Sequence, residues 1–271
     1  MPNHESPPEA PITSSVLLPP QKLASSKFQD VDQIAQKMIG FERVMTLTGD
    51  TYRDSSMVVI MPSRTKAIHH LVVNAACQGM NYHMNQKHVF MFCIGDEVGH
   101  AYNRMIQTIL ADPVLSTWKY VMTVESDNLP PPDAPIRLVE SLEAGKFDAV
   151  SGIYFTKGPI NMPMAYGDPK RYRETGELEF QPRDIRHCLE AGQVMEVNGI
   201  AMGCAVWRMD LFREVPQPWF VSLQEFNDGN PSGAMTQDLW FCRRARQMGK
   251  RFAVDHRVRV GHLDLETDEV Y

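Results

Sequence analysis

Glu125 and Asp127 stand one residue apart, where the apolar run Tyr120–Val124 ends and Asn128 and three prolines follow. In an extended segment alternate side chains share a face, so this spacing puts both carboxylates on one side. Like charges so placed repel. A shared proton relieves the repulsion and suits acid–base work. A divalent cation relieves it too, because Mg²⁺ and Mn²⁺ take carboxylate oxygens and bridge them to phosphate. The plainer alternative is a solvated acidic turn leading into the next helix. Other polar groups also follow apolar runs: Ser63 and Arg64 after Pro62, and Asp96 beside Glu97. Asp238 opens a helical pattern after Thr236 and Gln237, and His262 closes the last strand pattern. An acid early in a helix is favoured by the helix dipole alone, and His262 has the ordinary strand-end histidine as its rival.

The hydrophobic pattern supplies a scaffold for these groups. Short continuous apolar runs at 56–63, 88–95, 120–124 and 147–155 read as buried strands. Helical patterns fall between them at 67–80, 99–112 and 133–145, the last with Asp133 as N-cap and Gly145 at its end. This alternation predicts βαβ units and a mostly parallel sheet flanked by helices, with ligands outside the carboxyl ends of the strands. No GxGxxG or GxxxxGK[ST] is present, so neither a dinucleotide fingerprint nor a P-loop is on offer. Residues 157–195 lose periodicity and predict a long excursion over the active-site face, a lid or acceptor site. Its Lys170, Arg171, Arg173, Arg183, Arg186 and His187 read first as solvated charge, with an anionic acceptor as the rival. Order returns with 197–212, a helix over 236–249 and a strand over 251–262.

The totals fit a soluble enzyme. The 271 residues are 43% hydrophobic and 22% charged, with a net charge of −6. An acidic balance argues against broad, sequence-independent nucleic-acid binding. The odd, widely spaced cysteines Cys77, Cys93, Cys188, Cys204 and Cys242 form no zinc pattern. They predict reduced thiols in a cytoplasmic protein, most of them small buried hydrophobes. Residues 1–27, rich in Pro and Ser, predict a disordered or loosely docked arm with neither signal peptide nor anchor. A short helix is expected over 30–40, and no segment has the ~20 apolar residues that span a membrane.

The order E-S-D at 125–127, glycine-rich VNGIAMGCAVWRMDLF at 197–212, TQDLWFCRRARQMG at 236–249 and a terminal G-H at 261–262 resembles the GT-A fold nucleotide-sugar glycosyltransferases, particularly family-2-like bacterial and phage enzymes. The resemblance covers roughly 56–264. It implies a Rossmann-like, single-domain α/β fold over 28–271, with a nucleotide-binding half at 56–155 and an acceptor and catalytic half at 156–271. It implies a Mn²⁺ or Mg²⁺ ion held by Glu125, Asp127 and His262, with ExD in place of the usual DxD. Asp238 matches the base of inverting members, although Gln237 replaces the commoner glutamate. Pro62, Ser63, Arg64, Asp96, Asn103, Arg104 and Ser126 would contact the nucleotide, and Gly199 and Gly203 would lie in a loop that packs beside donor and acceptor. The donor would be a nucleotide-sugar, a UDP-sugar first. The acceptor is open among polysaccharide, lipid, protein and modified DNA base. A nucleotidyltransferase on a related sheet and a non-catalytic nucleotide-sugar-binding module are the alternatives.

Overall fold

The computed structural model describes residues 54–84, 86–227 and 230–271. The expected arm and the helix over 30–40 lie outside them. A seven-stranded sheet organises the rest. Strand β1 (Met57–Ser63) is buried throughout and pairs in parallel with β2 (His88–Ile94) and β3 (Tyr120–Val124). Its side chains alternate: Val58 and Ile60 enter one core, and Met57, Val59 and Met61 the other. A sheet with apolar layers on both faces is what continuous hydrophobic runs require.

Strand β4 (Asn128–Leu129) follows β3, and the next sheet strand is β5 (Ala149–Ile153). The segment expected as one long excursion is built into the fold. It contains β6 (Ala165–Tyr166), two short helices (Pro169–Thr175 and Arg186–Ala191) and β7 (Val194–Val197), an edge strand. Its elements are too short to show a hydrophobic period. Its basic residues pair locally: Arg171 with Glu177, Arg173 with Glu196, Arg183 with Asp168 and Arg186 with Asp184.

Next come β8 (Gly199–Ile200), which pairs with β6, and β9 (Cys204–Arg208), which runs antiparallel between β3 and β5. A hairpin of β10 (Leu223–Asn227) and β11 (Asn230–Met235) precedes the long strand β12 (Phe252–Arg259) and the short β13 (Gly261–His262). The sheet order is β2-β1-β3-β9-β5-β12-β7, with β9 and β7 opposing the direction of the other strands.

The three long helices are α2 (Val98–Ala111), α3 (Ala134–Gly145) and α4 (Gln237–Gln247). A shorter segment, α1, is α-helical over His70–Val72 and continues as a π-helix over Val73–Gln78. Glu97 caps α2 by accepting from the His100 N–H. The expected cap of α3 differs. The Asp133 carboxylate bonds Arg137 instead of the helix N–H groups, and Lys146 rather than Gly145 takes the left-handed position after the last turn, at φ 51°. The five cysteines are free. Cys93, Cys204 and Cys242 are buried, but Cys77 is exposed, because α1 turns that side of its apolar run outward.

Candidate functional site

Three chain reversals meet at the carboxyl end of β3. After Val124 the chain turns at once, and the Asn128 N–H donates to the Glu125 carbonyl at 3.1 Å. Glu125 and Asp127 therefore sit in a tight turn, not on one side of an extended strand as the spacing suggested. Because β9 opposes β3, its entry residue Gly203 lies against this turn. The Glu125 N–H donates to the Gly203 carbonyl at 3.1 Å, and the Gly203 N–H donates to Tyr154 Oη at 2.8 Å. Glycine is required here, since a Cβ would stand 2.4 Å from Asn128 Oδ1 and 2.5 Å from Tyr154 Oη.

Strand β13 pairs with β4, with His262 opposite Asn128. That register brings His262 Nε2 to 3.4 Å from Asp127 Oδ2. His262 Nδ1 lies 2.6 Å from the Phe155 carbonyl oxygen. A carbonyl only accepts, so Nδ1 carries the hydrogen and Nε2 faces the carboxylate. Lys157, two residues past Phe155, places Nζ 2.6 Å from the same Asp127 oxygen.

Asp238 enters from the start of α4 and is buried. Thr236 Oγ1 and the Leu239 N–H both donate to its Oδ1. The helix start packs closely on β8: a Cβ on Gly199 would stand 2.8 Å from the Phe180 ring and 3.0 Å from Leu239.

The electrostatics bind these groups into one site. Burial, reinforced by the charges of Asp127 and Asp238, pushes the Glu125 carboxyl up to about 8. Burial also raises Asp238, against the bonds from Thr236 and Leu239 that lower it. Burial would raise Asp127 as well, but His262 and Lys157 outweigh it and hold that carboxyl below its ordinary value. Tyr102, Tyr154 and Tyr166 surround the acids. Burial first, and then the charges of Glu125 and Asp238, drive their hydroxyls upward. Tyr102 Oη and both side-chain polar atoms of Asn128 are buried with no hydrogen-bond partner among the described residues.

The remaining residues singled out by sequence lie along β1, β2 and α2. Pro62 and Ser63 are buried in β1, and Ser63 Oγ donates to the Thr65 carbonyl at 2.9 Å. Arg64 is exposed, and its charge reaches Glu97. Ser126 is half-buried in the turn between the two acids. Asp96 and Arg104 pair at 2.9 Å on the wall of an open cleft of about 930 Å³, also lined by Glu97, His100, Phe220 and Ser222. Asn103 lines that cleft with its side-chain bonds directed to backbone. Nδ2 donates to the Gly99 and Phe220 carbonyls, and Oδ1 accepts from the Trp219 and Phe220 N–H groups. Ser222 Oγ lies 3.3 Å from Glu97 and 3.5 Å from Gln237, the residue before Asp238 in sequence. The sequence reading passed over Lys157 and the three tyrosines. Tyr154 had a signal, as an aromatic closing a buried run; Lys157 had none.

Asp127 Oδ2 and His262 Nε2 converge as one carboxylate and one imidazole. Among the described residues no group of three His, Cys, Asp or Glu forms a ready metal cluster. Asp127 and His262 would supply two protein ligands to a divalent cation, a small set that Mg²⁺ in particular tolerates, and Lys157 Nζ stands on the same carboxylate oxygen.

No family model matches the chain, and no curated protein matches it in sequence. Among solved structures, A197 from STIV superposes with a TM-score of 0.53 at 13% identity, over 79% of this chain and 92% of that one. That likeness shows the Rossmann-like α/β fold.

Proposed function

We propose that the protein is a glycosyltransferase that moves a sugar from a nucleotide-sugar donor, a UDP-sugar first, to an acceptor hydroxyl. The observation that carries this reading is the convergence of Glu125, Asp127, Asp238 and His262, from three separate chain segments, at the carboxyl end of β3. Their order along the chain is that of the GT-A enzymes it resembles. The cleft from Asp96 to Ser222 has the size and mixed lining for the nucleoside, and Ser222 on its wall contacts Gln237, the residue before Asp238.

Each residue then has a task. Asp127 and His262 Nε2 would hold Mn²⁺ or Mg²⁺, which when bound would supply positive charge to a diphosphate. The Phe155 carbonyl fixes the imidazole that does so. Asp238 takes the acceptor proton, and its burial makes it a stronger base than a solvated aspartate. In a retaining course the same carboxylate positions the acceptor or stabilises charge on the sugar. Glu125 lies beside Asp127, and in the metal-free protein burial pushes its carboxyl up to about 8.

A screen of nucleotide-sugars with Mn²⁺ and Mg²⁺, read as released nucleoside diphosphate, tests this. A UDP-sugar should be turned over, chelator should stop it and Mn²⁺ restore it. Asp127→Ala should lose metal-dependent nucleotide binding by calorimetry. Release of pyrophosphate instead would move the protein to the nucleotidyltransferases. No turnover of any donor would remove the reading.

A further inference from the structure

Asp127 Oδ2 already holds a cation. Lys157 Nζ lies 2.6 Å from it, while His262 Nε2 approaches the same oxygen at 3.4 Å. Lys157 stands at the base of a loop whose ends are tied: the Thr156 N–H donates to the Met162 carbonyl at 2.8 Å, and the Met162 N–H to Thr156 Oγ1 at 2.9 Å. Its backbone is thus anchored beside Phe155, the residue that orients His262. Its side chain is a four-carbon stem with a compact charge, free to swing between nearby acceptors.

A divalent cation on Asp127 Oδ2 and His262 Nε2 would take the space in which the ammonium now sits. Two cations cannot share one carboxylate oxygen without strong repulsion. An empty site without Lys157 would leave the Asp127 carboxylate with only His262 beside it. We propose that Lys157 is the site's exchangeable counter-ion. It neutralises Asp127 in the empty protein, leaves Oδ2 when a divalent cation binds, and then places its ammonium on the diphosphate of the bound nucleotide. The first step rests on the geometry alone; the other two rest on the glycosyltransferase reading, which supplies the divalent cation and the diphosphate. No covalent bond changes in the exchange.

The consequence is two opposed effects of one substitution. Lys157→Met keeps the stem and removes the charge. Titration of the nucleotide-free protein with Mn²⁺, followed by electron paramagnetic resonance, should show Lys157→Met binding Mn²⁺ about tenfold more tightly than wild type, or ~1.4 kcal/mol. Lys157→Arg should stay near wild type, and Asp127→Asn should lose the site. At saturating Mn²⁺, calorimetry with UDP should show Lys157→Met binding about tenfold more weakly, again ~1.4 kcal/mol. Lys157→Arg, which retains the charge, also guards against a folding defect in the Met variant. Equal or weaker Mn²⁺ affinity in Lys157→Met, with wild-type affinity in Lys157→Arg, overturns the exchange and leaves the glycosyltransferase reading standing. Tighter Mn²⁺ binding with no UDP binding by any variant overturns the diphosphate step and, with it, the donor assignment.

Discussion

Asp238 commits one carboxylate oxygen, Oδ1, to donors at its own helix start and is buried beside Glu125. Asp238→Asn preserves shape and removes basicity. The kcat for transfer should fall by about 10²–10⁴-fold, the usual contribution of a general base. Donor affinity should move by less than about tenfold. Because burial raises this carboxyl, the acid limb of the wild-type rate profile should lie above the ordinary 3.8. Transfer at the wild-type rate by the variant would take the base role from Asp238. Glu125 gives a second residue-scale test, in metal-free protein. Its folded value is raised from 4.5 to about 8, so between those limits the native state holds a proton that the unfolded chain has lost. Stability therefore falls as pH rises through that window. Glu125→Gln removes the dependence. It should leave the melting temperature unchanged near pH 4.5 and raise it near pH 8 by at least ~1 kcal/mol, about 2–4 °C for a domain of this size. A constant offset at both pH values would show that Glu125 is not the titrating group.

At the scale of elements, the site depends on backbone that only one register provides. Gly203 joins the Glu125 turn to β9 by its carbonyl and to Tyr154 by its N–H. Gly203→Ala forces a Cβ against Asn128 and Tyr154. Overpacking of this kind costs about 1–3 kcal/mol, and here it should displace Glu125 as well. A lower melting temperature together with weaker metal-dependent nucleotide binding is expected; loss of stability with intact binding would separate β9 from the site. The parts of the fold visible in the sequence were those with long, unmixed signals. The runs at 56–63, 88–95 and 120–124 became β1, β2 and β3, and the pattern at 236–249 became α4. Strand direction was not visible. The run Cys204–Arg208 looks like any buried strand, and nothing in its composition says that it reverses between β3 and β5. Two-residue strands such as β4 and β13 carry no period at all, although their pairing is what sets His262 beside Asp127. The acids and His262 could be named from their types and order. Lys157 could not, because its role comes from a loop closed by hydrogen bonds that leave no sequence pattern.

Across the whole molecule, one carboxylate links the segment that sequence alone left loose to the sheet and to α4. Glu196, on edge strand β7, receives Arg173 at 3.3 Å, Arg246 at 3.5 Å and Arg251 at 3.2 Å. These arginines come from the helix Pro169–Thr175, from α4 and from the residue just before β12. Arg246 is only 5% exposed, so its charge depends on a partner. Burial would raise Glu196, but Arg251 first, and then Arg173 and Arg246, outweigh it and hold the carboxyl below 4.5. A depressed folded value fixes the sign: the contribution is complete above the unfolded value and is lost as pH falls through the folded one. Glu196→Gln removes the charge while keeping much of the shape. It should lower stability at pH 7 by about 2–3 kcal/mol, toward the upper end for single substitutions and consistent with an arginine left buried without its partner. The gap should close as pH falls below 4.5, where wild type protonates the same group. Urea unfolding of both proteins from pH 7 down to pH 3 measures it. A gap that stays constant across that range would assign the loss to packing and not to the charge that Glu196 shares among three arginines.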